Sequence, residues 1–423
     1  MSILLKNANV YTDGFFKKTN ISISGGVVCD ISGTVSASDF VVDLNGCHIF
    51  PGFCDVHVHF REPGFLYKET IASGSEAAAR SGYTTVCTMP NLVPAPDCAE
   101  NLAIQLDAIK RDAKIRVLPF GTITRARGGE ELSDMAAIAG DVAGFSDDGS
   151  GVENGEVMLR AMQTARSLGK IVSAHCETRE GSNGCVNDCE FARANGIPTI
   201  TCESEWKQIE RDIELAAKTG CAYHVCHIST LDSVRLIREA KKSGIDVTCE
   251  TAPHYLVMDD SMLRDDGRYK MNPPLRSKRD RDAMLEGFCD GTVDMIATDH
   301  APHSLEEKSR GLVGSAMGIT GLECAFPILY TELVLGGIIP LERLVEAMSG
   351  IPARRFSLGS GRIAVGEAAD LCVYDLGWSG NVSSESFASK GKITPFEGWK
   401  INGKCKMTIV GGNIVWSDGM TEK

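Results

Sequence analysis

The stretch "FCDVHVHFREPG", residues 53–64, carries His57 and His59 one residue apart at the end of an apolar run. In a strand, residues i and i+2 face the same side, so the two imidazoles aim at one point, as a metal ion requires. Other apolar runs end in the same kind of residue: Asp147-Asp148, His175, His227 and Asp299, with His303 just beyond. A lone histidine at such a place is ordinarily a surface or hydrogen-bonded residue, but packing gives no reason to repeat ligand types at run after run. Imidazoles and carboxylates without thiolate suit Zn²⁺, with Mn²⁺ and Co²⁺ as alternatives. Two ions need a bridging anion, and a carboxylate of the Asp147-Asp148 pair is suited to that. Such a centre activates water and polarises a carbonyl. His224, three residues before His227, falls on the opposite face by alternation and is assigned to structure, as is His48. His254 stays open between supporting a ligand and pure structure.

Groups so distant in sequence converge only if the elements carrying them share one end of a sheet. Eight strand candidates, from "HIFPGFCDVHVHF" to "VDMIATDHAPH", alternate with segments of helical period such as "ENGEVMLRAMQTARSLG" and "LDSVRLIREAKKSG". Each of these two ends near a glycine suited to a C-cap. This is the pattern of an α/β fold of the (β/α)8 TIM-like kind, in which catalytic groups sit at the C-terminal strand ends; a doubly wound open sheet is the rival. Both chain ends are instead short β-like runs broken by Gly and Asn. They predict a small β-sandwich module built from residues 1–50 and 358–423, around a barrel over 51–357.

The chain of 423 residues has room for both, and at 43% hydrophobic and 23% charged its composition is that of a globular protein. A net charge of −13 argues against nucleic acid and anionic membranes as partners. No run of 18 apolar residues and no charged-then-apolar leader is present, which points to the cytoplasm. Most of the sixteen cysteines, Cys54, Cys87, Cys226 and Cys249 among them, lie in apolar runs where a reduced thiol packs as a small hydrophobe. Cys185 and Cys189 lie in a polar loop and are read as structural, and a reducing compartment fits the whole set.

The HxH pair, with His at the fifth and sixth strands and Asp at the eighth, resembles the amidohydrolase superfamily. More closely, "DVHVHFREPG", "KET", "TMPN", "SDDG", "AHCE", "CHIST", "ETAPHYL", "MNPPLR", "ATDHAPH" and "GITGLE" resemble dihydroorotases of the bacterial type I kind, over residues 45–360. The resemblance implies ring closure of N-carbamoyl-L-aspartate to L-dihydroorotate in pyrimidine biosynthesis, with one or two Zn²⁺ per subunit. It implies that His57 and His59 bind the first metal, His175 and His227 the second, and Asp148 rather than Asp147 bridges them. Asp299 binds metal and serves as general acid/base. His59, Arg61, Asn91 and His303 belong to the substrate site, the last three on its carboxylate, with Asn272 and Met317-Gly318 at the ring. A homodimer is implied, with room for association with a transcarbamoylase.

Two features depart from the wider pattern. The fourth strand ends "GFSDDG", without the lysine that many amidohydrolases carbamylate and that hydantoinases and allantoinases generally carry, and Met317 stands where Phe is expected. The alternatives are another cyclic amidase of the dihydropyrimidinase, hydantoinase or allantoinase kind, and an inactive homologue serving a transcarbamoylase. Arg61 has a reason in the first reading, because its planar guanidinium can grip a carboxylate bidentately. Glu62 is read as structural and Pro63-Gly64 as a turn. The polar, Gly-bearing stretch 303–318 is expected to cover the site as a lid.

Overall fold

The computed structural model describes residues 2–32 and 38–419; residues 1, 33–37 and 420–423, which the expected bounds of the terminal module include, lie outside the described residues. Parallel strands form two groups in the middle of the chain. Phe53–Val58, Tyr83–Thr88 and Arg116–Pro119 make one; Val172–Ala174, Tyr223–Val225, Val247–Thr251 and Met295–Ile296 make the other. Single parallel bridges connect the two groups, from Gly121 to Phe145 and from Phe145 to Val172 at one side, and from Val58 to His300 at the other.

The run "DVAGFSDD", expected as the fourth strand, is reduced to these bridges. The reason lies in Asp147, whose Oδ1 accepts from the backbone N–H of Ile123 at 2.8 Å and of Thr124 at 3.1 Å. A side chain thereby takes the donors that a longer ladder would use.

Every residue of Phe53–Val58 and Tyr83–Thr88 is buried, as parallel strands covered on both faces must be. Their alternation shows in what they touch. Cys54, Val56, Cys87, Cys226 and Met295 share one cluster with Phe120 and Phe356. Phe53, Val86, Val172, Val225 and Ile296 share another with Ala77, Met158, Ile213 and Ile237 from the surrounding helices. The helices follow local sequence rules. Gly155–Ser167 and Leu231–Lys242 start on Asn154 and Thr230, whose side chains accept free N–H groups of the first turn. Just past their ends, Gly169 and Gly244 adopt φ of +66° and +75°. Among the described residues no helix is long and apolar enough to cross a membrane.

Strands from both chain ends share one eight-stranded sheet. Along it run Asn413–Ser417, Lys400–Val410, Leu371–Asn381, His48–Pro51, Ser2–Thr12, Phe15–Ser24 and Val27–Ser32, with Phe40–Asp43 paired to Ser2–Thr12. Ile3, Val10, Ile23, Ile49, Leu371 and Met407 form its core. Phe326 joins this sheet to the central strands, its ring centroid 4.4 Å from that of Tyr374, 5.1 Å from Phe53 and 5.5 Å from Phe50. The Tyr374 hydroxyl and Thr408 Oγ1 each donate at 2.7 Å to a carbonyl at the end of the helix Ile71–Arg80, those of Ser81 and Ala79.

The segment after Asn381 reaches further. A Cβ on Gly391 would lie 2.8 Å from the carbonyl oxygen of His303 and 2.7 Å from Cβ of Pro302, so only glycine allows that approach. Phe326 is 1% exposed. Phe326→Ala should therefore cost about 3–5 kcal/mol, read as a lowered urea midpoint.

Candidate metal centre and its cleft

The ends of the central strands converge as their residue types suggest. Nε2 of His57 lies 3.2 Å from Asp148 Oδ1 and 3.6 Å from Asp299 Oδ1, and Nε2 of His59 lies 3.5 Å from Asp148 Oδ2 and 3.0 Å from Asp299 Oδ1. On the other side of Asp148, His175 Nδ1 and His227 Nε2 stand 2.9 Å apart, at 3.8 and 3.7 Å from its Oδ1. His57, His59 and Asp299 form one set of donors within reach of a common ion, and Asp148, His175 and His227 form another. Asp147 points away into the amides of Ile123 and Thr124. The carboxylate between the two sets is that of Asp148.

The donors suit a cation on two counts. First, His57 Nε2 and Asp148 Oδ1 are buried without a hydrogen-bond partner. Orphaned buried polar atoms are costly, and an ion shared by such atoms removes the cost. Second, the buried charges are ionised. Burial alone would raise Asp148, but the His57 imidazole and the other imidazoles beside it outweigh this and hold Asp148 well below the usual carboxylate range. For Asp299 burial again opposes, and the imidazoles of His59, His57 and His227 beside it bring it down. Both carboxylates are thereby kept anionic, the form in which an oxygen ligand binds a cation.

Backbone geometry at the strand ends is unusual in the same places. Arg61, His227 and Asp299 have φ of +56°, +29° and +47°, a left-handed region that non-glycine residues rarely adopt. Such conformations persist where surrounding contacts over-determine them, as at a site.

The side chains beyond the ligand donors fix their orientation. Asn91 Oδ1 accepts from Nδ1 of His59 at 3.0 Å, which leaves the Nε2 lone pair of His59 for the centre. Glu250 does the same for His57, with Oε1 2.6 Å from Nδ1; its Oε2 accepts from His224 Nε2 at 3.1 Å, and Oε1 is 3.3 Å from the backbone nitrogen of His227. Burial opposes the charge of Glu250, but His57 and His224 bring its pKa down to about 2. His224 thus anchors a carboxylate behind the ligands and stands outside both donor sets. Glu250 had no role on spacing arguments. Its one signal was an acid inside the apolar run "DVTCETA", a place where carboxylates are seldom buried without a partner.

A cleft of about 230 Å³ opens beside these groups, lined by His59, Arg61, Asn91, Asp148, His175, His227, Asn272, Asp299, His303, Met317 and Gly318 among others. It therefore brings the expected substrate residues to one place. Arg61 lies 3.5 Å from Asn91 Oδ1 and 3.4 Å from His303 Nε2. Asn272 donates to Glu177 Oε1 at 3.0 Å, and Glu177 Oε2 is 3.5 Å from His175 Nε2, a link spacing did not reveal. Met317 offers its carbonyl to Nε2 of His303 at 2.6 Å. Gly318, at φ +121°, has no room for a Cβ, which would meet Ala301 at 2.7 Å.

Other expectations fall as follows. His254 is buried with Nε2 unpartnered, and burial lowers it to about 4; it belongs to neither donor set. Cys185 and Cys189 pack in an apolar cluster with Val186 and Tyr255. Glu62 accepts from the backbone N–H of Ile71 at 2.9 Å, at a helix start. Gly64 does more than turn the chain, since a Cβ there would lie 2.7 Å from the Val93 carbonyl oxygen. The stretch 303–318 reaches the cleft at His303, Met317 and Gly318 and is pinned by Lys308, whose buried ammonium donates to the carbonyls of Lys270, Ala316 and Gly318 at 2.7–2.9 Å.

Known proteins resemble this chain over most of its length. A family described as Dihydro-orotase-like matches residues 46–233. The dihydroorotase of Bacillus caldolyticus is 47% identical over 99% of this chain and 100% of its own length, and that of Anoxybacillus flavithermus 46% over the whole of both. The chain belongs to the dihydroorotase family. Solved structures place that family's fold beside related cyclic-amide hydrolases. The L-hydantoinase of Arthrobacter aurescens superposes with a TM-score of 0.89 at 26% identity, covering 99% of this chain and 96% of its own. The dihydropyrimidinase of Brevibacillus agri gives 0.87 at 25%, covering 99% and 95%. Those neighbours share the α/β, TIM-barrel type of architecture.

Because Glu250 orients His57, Glu250→Gln should weaken divalent metal binding about 10- to 100-fold while the apo protein melts close to the parent. Competition with a metal chelator reads the first effect and thermal unfolding the second.

Proposed function

We propose that this chain catalyses the reversible interconversion of N-carbamoyl-L-aspartate and L-dihydroorotate, using His57, His59, Asp148, His175, His227 and Asp299 as metal ligands. The observation that carries the reading is the cleft itself, where a guanidinium, Arg61, faces the same small space as the ligand cluster. A generic hydrolytic site needs no cation there; a substrate with a free carboxylate does. The metal is read as Zn²⁺, one or two per subunit, on the nitrogen and oxygen character of the donors. When bound, it supplies Lewis acidity toward an amide carbonyl and acidifies water near neutrality.

The protein's own groups do the rest. Arg61, Asn91 and His303 hold the carboxylate that does not react, while Asn272 and Met317-Gly318 border the ring. This fixes the scissile amide against Asp299, and such orientation lowers a barrier by several kcal/mol. Asp299 is ionised, so in ring opening it first accepts the proton of the attacking water and then delivers it to the departing ring nitrogen. In closure it takes the ureido proton instead. Opening converts an amide into a carboxylate and an uncharged ureido group and releases a proton, so acid favours the ring.

The scaffold is read as a (β/α)8 barrel over residues 51–357, on the support of the parallel bridges at Phe145 and between Val58 and His300. The sheet from residues 1–50 and 358–423 is read as a separate module. A homodimer in the cytoplasm, with room for a transcarbamoylase, completes the reading. The likeness to hydantoinase structures keeps a second cyclic amide in view. The absence of a lysine in "GFSDDG", with Asp148 between the two donor sets, favours dihydroorotate.

The deciding experiment assays ring opening of dihydroorotate beside hydantoin on protein of measured metal content. Turnover of hydantoin but not dihydroorotate would overturn the reading. Arg61→Met should lose about 2–4 kcal/mol of transition-state binding, roughly 30- to 1000-fold in kcat/KM for dihydroorotate, with metal content unchanged. Asp299→Asn should lose about 100-fold or more in kcat. A pH profile gives a further check. Burial and the Arg61, Lys68 and Lys308 charges push His303 down to about 3, and burial lowers Arg61 only to about 10. His303 is thus neutral and Arg61 charged from about pH 5 to 9. KM for dihydroorotate should be flat across that window, without an inflection near the ordinary histidine pKa.

A further inference from the structure

Lys68 touches neither the ligand cluster nor the cleft, yet its ammonium reaches the back of His303. Nζ lies 3.2 Å from His303 Nδ1 and 2.8 Å from Glu307 Oε1. On the other edge of the ring, Nε2 lies 2.6 Å from the carbonyl oxygen of Met317. A carbonyl only accepts, so Nε2 carries a hydrogen; an ammonium only donates, so Nδ1 presents its lone pair. The two contacts together select one neutral tautomer. Its N–H lies on the edge 3.4 Å from the Arg61 guanidinium.

Glu307 pulls the other way. Its Oε2 is 3.5 Å from Nδ1 and, left alone, would draw the imidazole hydrogen to that side. The other charges on His303 are cationic: Arg61 and Lys308. Lys68 sits beside both Nδ1 and Glu307, the only carboxylate among these groups, and its charge offsets that carboxylate. Its side chain is 14% exposed and runs past the rings of Phe65 and Tyr67, with Nζ 5.4 and 5.5 Å from their centroids.

We propose that Lys68 is a positioning residue for substrate recognition, holding His303 as an Nε2–H donor that passes from the Met317 carbonyl to the incoming carboxylate. Lys68 acts only through His303. The proposal rests on the reading that Arg61, Asn91 and His303 take the carboxylate.

A double-mutant cycle tests it, with Lys68→Met, His303→Asn and the double variant assayed for KM and kcat on dihydroorotate. Metal content and melting temperature are measured beside them. Lys68→Met is expected to raise KM by about tenfold or more with kcat within about threefold of the parent, and Lys68→Arg to restore most of the loss. In the His303→Asn background, Lys68→Met should change KM by less than about threefold. An unchanged KM in Lys68→Met, or the same factor in both backgrounds, overturns the role assigned to Lys68 while leaving the carboxylate grip intact. An unchanged KM in His303→Asn itself overturns the grip, and with it the proposal.

Discussion

A carboxylate without solvent has to be shared, and Glu250 is shared among three histidines. It takes the Nδ1 hydrogen of His57 and the Nε2 hydrogen of His224, and its Oε1 stands beside the backbone nitrogen of His227. Those contacts tie together residues nearly two hundred positions apart and decide which nitrogen of His57 is left bare. The alternation that sets His224 opposite His227 thus has a purpose in the fold. One histidine faces the centre while the other secures the acid behind it.

The same economy governs the cleft. Asn91 orients His59 through one amide atom and stands beside Arg61, so the donor cluster and the Arg61 corner of the cleft share a wall. Backbone turns at Arg61, His227 and Asp299 take these side chains off the strand direction and into that space. Left-handed backbone at such residues persists where the packed surroundings over-determine it.

Much of this was legible in the residues alone, and for a physical reason. Period-two alternation and the strand–helix rhythm assign the ends of parallel strands to one face, so His57, His59, His175, His227 and Asp299 announce themselves by type and place. What alternation does not carry is partnership across the sheet. Glu250, Glu177 and Lys68 lie within the quoted motifs "ETAPHYL", "AHCE" and "KET", but their roles depend on which distant side chain the fold sets opposite. The fourth strand was misjudged in extent for a similar reason. Its apolar run is real, yet the side chain of Asp147 intercepts the neighbouring amides.

Gly391 sits against Pro302 and His303, and the strand before it pairs with His48–Pro51 at the entrance to the first ligand strand. During synthesis the ribosome has released every candidate donor and every residue of the cleft before this wall exists. A nascent chain therefore carries a full set of donors but neither the backing of His303 nor the aromatic join at Tyr374. The order of translation places these last supporting pieces after every residue of the cleft.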